Sequence, residues 1–368
     1  MPAHEHLGYQ NPVIPVDSPD PGVFYDEASS TWYAYATNGN GKNIQVFSSK
    51  DFCSWDSDHE DALPGPFPDW IREGGWWWAP EVIRAPGGRP GYLMYTTCGI
   101  KAIDGQGICT AYSESPLGPF KLVGDGPLVD IPSGSLDAQP FENPQENGKR
   151  YLVYKNDEDG QMYTKKTQLW IQPLTEDGLR FEGPRKPLLA PTMEWQHGLL
   201  EGPYLTYHAP SRTYTLFYSS GTFTTGGYAI GYAKSSSMFG PYKASDHPFL
   251  WTDEQRGVLG PGGQCIVRGV EGHDFLVFHS LTHFEGPRHM CVHRLEWGND
   301  GTPILPGRPQ LNKRLRLGAE AEDDDQGGKP CPLPKEHYGG GGKEPKDRAR
   351  EYAKKGVGAL ASWAKKQL

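Results

Sequence analysis

The chain has 368 residues, 36 of them Lys or Arg against 45 Asp or Glu, for a formal net charge of −9 and a pI near 5.8. That balance excludes a nucleic-acid backbone as partner, since phosphate recognition needs a clustered basic face, and no apolar run reaches the ~18 residues that would span a bilayer. With 47 Gly, 34 Pro and 12% aromatic residues, the composition supplies turns for many short strands and rings for a core, and few stretches read as helix.

From the N-terminus, MPAHEHLGYQNPVIPV lacks the basic region and apolar core of a secretory leader. A cytoplasmic protein is therefore expected, or a secreted one if the chain is a mature form. A repeat then begins, in which a short β-like run opening on a polar residue is followed by an aromatic-x-x-aromatic strand core. DPGVF from Asp20 precedes WYAY from Trp32, EVI from Glu81 precedes YLMY from Tyr92, and DAQPF from Asp137 precedes YLVY from Tyr151. EGPYL from Glu201 precedes YTLF from Tyr214, and QCIV from Gln264 precedes FLVF from Phe275. A third strand follows each core, in IQVF from Ile44, ICTAY from Ile108, LWI from Leu169, IGYA from Ile230 and MCVH from Met290.

Five repeats about 60 residues apart, each with several short strands, predict an all-β fold, a five-bladed β-propeller with a short C-terminal tail. Residues 1–317 are expected to form the propeller. Residues 318–368 read as a Pro- and Gly-rich linker followed by a basic amphipathic segment, with Ala349, Ala353, Val357, Leu360, Ala364 and Leu368 at helical spacing. The segment suggests a weakly packed tail and at most a weak partner contact. The six cysteines, including Cys331, lack metal-site spacing, although Cys98 with Cys109 and Cys265 with Cys291 fall on neighbouring strands, as a disulfide in an oxidising compartment would require.

The polar residues that open the repeats, Asp20, Glu81, Asp137, Glu201 and Gln264, are expected to ring the channel. Converging carboxylates raise one another's pKa and mark functional sites. Hydrolysis of a glycosidic bond needs two of them, one protonated to donate to the leaving oxygen and one ionised to activate water or attack the sugar.

SPDPGVFYD (Ser18 to Asp26), WWWAPEV (Trp76 to Val82), SLDAQPF (Ser135 to Phe141) and EGPYL (Glu201 to Leu205) together resemble glycoside hydrolase family 43. The resemblance covers roughly the first 310 residues. It implies a five-bladed propeller and inverting chemistry on arabinose- or xylose-containing saccharides. It also implies Asp20 as general base, Asp137 as the acid that tunes and orients the donor, and Glu201 as general acid with a raised pKa. Trp77, Trp78, Glu81, His197, Gln264 and Arg288 are the expected substrate-binding residues. GPGGQ (Gly260 to Gln264) departs from the family's Gly-Pro-Gly-His, and His279 and His283 are only weak metal candidates, so neither a metal nor another cofactor is expected. The short tail and the loop around Trp195 and His197 favour release of terminal α-L-arabinofuranose. β-Xylosidase, endo-arabinanase and a non-catalytic carbohydrate-binding propeller are the alternatives.

Overall fold

The period of two along a strand puts the first and fourth residues of each aromatic core on opposite faces, and the structure uses both faces. The computed structural model describes residues 9–103, 105–129, 134–156, 167–269 and 272–308. The expected tail, with Cys331, lies outside these residues. Five antiparallel sheets follow one another along the chain. The first contains β1 (Gly22–Asp26), β2 (Thr31–Ala36) and β3 (Gln45–Ser49). The second contains β4 (Trp78–Arg84), β5 (Tyr92–Ile100), β6 (Gly105–Ser113) and β7 (Lys121–Val123). The third contains β8 (Ser135–Asn143), β9 (Lys149–Asn156), β10 (Leu169–Pro173) and β11 (Lys186–Leu189). The fourth contains β12 (Glu201–His208), β13 (Thr213–Ser220), β14 (Ala229–Ser235) and β15 (Lys243–Ala244). The fifth contains β16 (Gly262–Arg268), β17 (Asp274–Leu281), β18 (Arg288–Trp297) and β19 (Pro303–Ile304).

Each aromatic core lies on the second strand of its sheet. Tyr92 packs towards the first blade and Tyr95 towards the third. Tyr151 and Tyr154, Tyr214 and Phe217, Phe275 and Phe278, and Trp32 and Tyr35 divide in the same way between the clusters on either side of their blades. A hydrophobic cluster therefore fills every junction between blades, and burial of both faces of each sheet drives the assembly. The first strands contact one another in a closed cycle, β1, β4, β8, β12, β16 and back to β1.

The ring is closed by the segment ahead of β1, which lies along β18. The Val13 N–H donates to the Met290 carbonyl at 2.9 Å and that of Ser18 to Arg288 at 2.7 Å. The Asn11 side chain both donates to and accepts from the Val292 backbone.

The described cysteines are free thiols. Cys265 and Cys291 face different blade junctions, so their sulfurs point away from each other. The Cys98 and Cys109 thiols are buried and contact the carbonyls of Gly107 and Thr96 across the strand pair.

Candidate active site

The first strands of four blades carry a bulge at the same place. Register shifts between Trp78 and Glu81, Leu136 and Gln139, Glu201 and Tyr204, and Gly262 and Cys265. One residue in each bulge has left-handed backbone: Ala79 (φ 43°), Asp137 (58°), Gly202 (54°) and Gly263 (56°). Asp20 (φ 51°), immediately ahead of β1, is the counterpart in the first blade. Such geometry re-aims a side chain and is uncommon for residues other than glycine. The expected ring is thereby corrected. Asp20 and Asp137 are equivalent, but Glu201 precedes its blade's left-handed residue by one, Gln264 follows by one, and Glu81 lies two further along its strand.

The N–H of each left-handed residue is taken up by the preceding blade. Ala79 donates to Thr37 Oγ1 at 3.0 Å, Asp137 to Thr97 Oγ1 at 3.1 Å, and Gly263 to Ser219 Oγ at 2.9 Å. Asp20 donates to His279 Nδ1 at 3.1 Å, which joins the last blade to the first. Only between blades three and four is the device altered. The Gly202 N–H goes to Asp137 Oδ2 at 2.8 Å, and Lys155, whose cross-strand position matches those of Thr97 and Ser219, reaches Glu201 Oε2 at 3.0 Å.

Asp20 is surrounded by donors. Arg288 Nη1 lies 3.2 Å from Oδ1 and 3.4 Å from Oδ2, and Thr37 Oγ1 donates to Oδ2 at 2.8 Å. Burial pushes the carboxyl upward, but the Arg288 charge and the Thr37 hydroxyl hold it well below the usual carboxylate range. Asp20 is therefore ionised. Asp137 is the opposite case. Desolvation lifts it to about 7, opposed by the Lys155 charge and the Gly202 N–H and reinforced by Glu201 and Asp20.

Glu201 is held by two donors, Lys155 at Oε2 and the Tyr228 hydroxyl at Oε1, 2.7 Å away. The carboxyl pushed up towards neutrality is that of Asp137. The Tyr228 ring stacks on His279, with centroids 5.8 Å apart and planes at 6°. Asp20, His279, Tyr228, Glu201 and Lys155 thus form a continuous chain of contacts. An ionised carboxylate near a second carboxyl raised towards neutrality is the division of charge that acid and base catalysis requires.

Two glycines of GPGGQ make room for this chain. A Cβ on Gly262 would run into the Tyr228 ring, and one on Gly263 would lie 2.5 Å from Asp20 Oδ1 and 2.6 Å from His279 Nδ1. The His279 ring occupies the space that a side chain at position 263 would otherwise enter.

The expected binding residues fall in different surroundings. Trp77 is fully buried, its ring 4.6 Å from that of Phe67 in the core between blades one and two. Gln264 is buried with both ends of its amide occupied, accepting from Ser219 Oγ at 2.8 Å and donating to the Gly202 carbonyl at 2.6 Å. It braces blades four and five. His197 is exposed at a left-handed turn (φ 49°). Glu81 lies in the next layer of the channel, near Tyr204 and Cys265, and desolvation raises it to about 8. Trp78 is half-buried and stacked on Trp76, with centroids 5.8 Å apart and planes at 6°, and Arg72 covers the Trp76 ring at 4.1 Å. Arg288, expected to bind substrate, lies on the carboxylate of Asp20.

Sequence reasoning missed Lys155, Tyr228 and Thr37, and considered His279 only as a metal candidate. A polar residue just after each aromatic core was the available signal: Thr37, Thr97, Ser219 and His279 all stand there, and Lys155 directly follows YLVY.

The profile of glycosyl hydrolases family 43 matches residues 9–303. The chain belongs to this family. The family 43 protein is 26% identical over 254 residues to an extracellular endo-α-(1→5)-L-arabinanase of Thermotoga petrophila, covering 61% of this chain and 50% of that protein. It is 24% identical over 344 residues to extracellular endo-α-(1→5)-L-arabinanase 2 of Bacillus subtilis, covering 77% of this chain and 69% of that protein. The chain thus spans half the length of the Thermotoga relative. Among solved structures, a thermostable family-43 glycoside hydrolase matches with a TM-score of 0.72 and 28% identity, over 82% of this chain and 98% of that one.

Proposed function

We propose that residues 1–317 form a catalytic propeller that hydrolyses arabinan, cleaving the α-(1→5)-linked main chain internally with inversion. The observation that carries the reading is the unequal treatment of three carboxyls in one ring: Asp20 held ionised by Arg288 and Thr37, and Asp137 and Glu201 sharing a pocket with Lys155. Asp20 polarises the attacking water and takes its proton. Glu201 donates to the leaving oxygen, and Asp137 supports the donor. A purely binding propeller has no use for this division.

Internal cleavage displaces the terminal arabinofuranosidase reading for two reasons. Both curated relatives above are named endo-arabinanases. In the loop expected to wall the cleft, Trp195 is drawn onto Tyr218, centroids 6.1 Å apart, against the core between blades three and four, and His197 is exposed, which supports an open cleft.

The test is digestion of linear arabinan, with viscosity and product sizes followed together. Internal cleavage gives a rapid fall in viscosity and a ladder of oligosaccharides, whereas arabinose as the only early product restores the terminal reading. Proton NMR of the first product gives the anomeric outcome. Asp20→Asn is expected to lower kcat/KM by at least ~100-fold in a folded protein. Turnover of xylo-oligosaccharides with none of arabinan overturns the substrate assignment.

A further inference from the structure

Lys155 sits on β9 with its side chain only 2% exposed, its Nζ 3.0 Å from Glu201 Oε2. A buried ammonium carries a heavy desolvation cost unless it is paired and hydrogen-bonded. At the matching cross-strand positions of blades two and four stand Thr97 and Ser219, small hydroxyls that accept the next blade's N–H. A lysine cannot accept that bond, and at its junction Asp137 accepts it instead. The only one of the five junctions to exchange a neutral hydrogen bond for a charge is therefore the one that holds Asp137 and Glu201.

Among the described residues, the pocket then contains two carboxyls and one ammonium. The groups facing the carboxyl pair are Lys155 from β9, Tyr228 from the loop before β14 and Asp20 ahead of β1; His279 on β17 and Arg288 on β18 stand beyond Asp20. With Lys155 charged, the pocket is neutral when the pair holds a single proton. Lys155 and Tyr228 also fix both oxygens of Glu201 in place.

We propose that Lys155 is a positioning residue for glycosidic cleavage, which orients the Glu201 carboxyl and acts as the counter-charge that leaves one proton on the Asp137 and Glu201 pair. The proposal rests on Glu201 being the proton donor. In the step it supports, the glycosidic C–O bond breaks, the Glu201 proton passes to the leaving oxygen, and a water oxygen bonds to the anomeric carbon. Asp20 takes the proton of that water. Lys155 keeps its own protons and stabilises the carboxylate that Glu201 becomes.

The experiment compares Lys155→Met, Lys155→Gln and Lys155→Arg across pH on two substrates, an arabino-oligosaccharide and its nitrophenyl glycoside, whose aryl group leaves with little acid help. In the neutral variants kcat/KM is expected to fall ~100-fold on the oligosaccharide and less than ~10-fold on the aryl glycoside. Loss of the ammonium makes the carboxyls harder to ionise, so the alkaline limb is expected to move up by about one pH unit or more. Lys155→Arg is expected to keep the limb in place and to recover much of the rate. Lys155→Gln is read in the same way if the methionine variant does not fold. Equal losses on both substrates with an unmoved limb, or an arginine variant no better than methionine, would overturn the proposal. Glu201→Gln distinguishes the two levels: an equal loss on both substrates there sinks the donor assignment itself.

Discussion

The main-chain N–H of Asp20 donates to His279 Nδ1 at 3.1 Å, so a carboxylate of the first blade and an imidazole of the fifth meet where the ring closes. The contact places Asp20 and helps to close the propeller. His279→Ala is expected to leave that N–H without its acceptor, costing about 1–3 kcal/mol in urea unfolding. It is also expected to lower kcat/KM roughly 10- to 100-fold by releasing the Asp20 backbone. Unchanged activity in the variant would show that Arg288 and Thr37 suffice to hold the carboxylate.

Gly263 is expected to tolerate no side chain. Gly263→Ala combines left-handed backbone (φ 56°) with a collision against Asp20 and His279, and should abolish most activity and lower Tm. Gly257 is the control, because it has φ 67° and no heavy atom within 4 Å of a built Cβ. Gly257→Ala carries only the backbone penalty of about 1 kcal/mol. Similar Tm losses in the two would mean that the crowding at Gly263 is relieved by small shifts.

Adjacent tryptophans should separate cleanly. Trp77→Ala is expected to cost about 3–5 kcal/mol of stability, as for other fully buried large side chains. Trp78→Ala should leave the fold nearly as stable and raise KM, because a half-buried ring beside the left-handed Ala79 can stack on a sugar. Calorimetry and steady-state kinetics on the same two proteins check both.

Glu81 gives a pH signature in stability. Its folded pKa, about 8, lies above the ordinary value of 4.5. Between these values the folded protein holds a proton that the unfolded chain releases, so stability falls as pH rises through this window. Glu81→Gln removes that loss. The Tm of the variant is expected to fall less between pH 5 and pH 8 than that of the parent, which two melting curves for each protein would show. Equal declines would mean that other groups set the slope.

The carboxyl pair gives a signature in rate. With Asp137 raised to about 7, kcat/KM should decline above that pH as the shared proton is lost. A profile flat well beyond it would remove the pair from proton donation.

The blades were legible in the sequence because burial on both faces of a strand leaves aromatic residues on both, and WYAY, YLMY, YLVY, YTLF and FLVF each mark a second strand. Asp20 and Asp137 were legible for a related reason, since they hold the same place in two repeats. The exact ring was not. A bulge adds one residue to a strand without disturbing the spacing of its neighbours, so Glu81, Glu201 and Gln264 looked equivalent to residues one or two positions away. Lys155 and Tyr228 were hidden because each acts on a residue from a different strand or blade. Trp77 and Trp78 could not be told apart, since adjacent strand positions look alike until the core is assigned to one face.

Four of the five places where one blade hands over to the next are fastened by hydroxyl or imidazole acceptors. The fifth is fastened by Lys155, Glu201, Asp137 and Gly202, a joint that includes two of the carboxyls proposed for catalysis. In the proposed mechanism, each proton passed from Glu201 therefore changes the charge at the joint between blades three and four. The same few side chains that the proposed chemistry uses are thus also the ones that join two neighbouring blades.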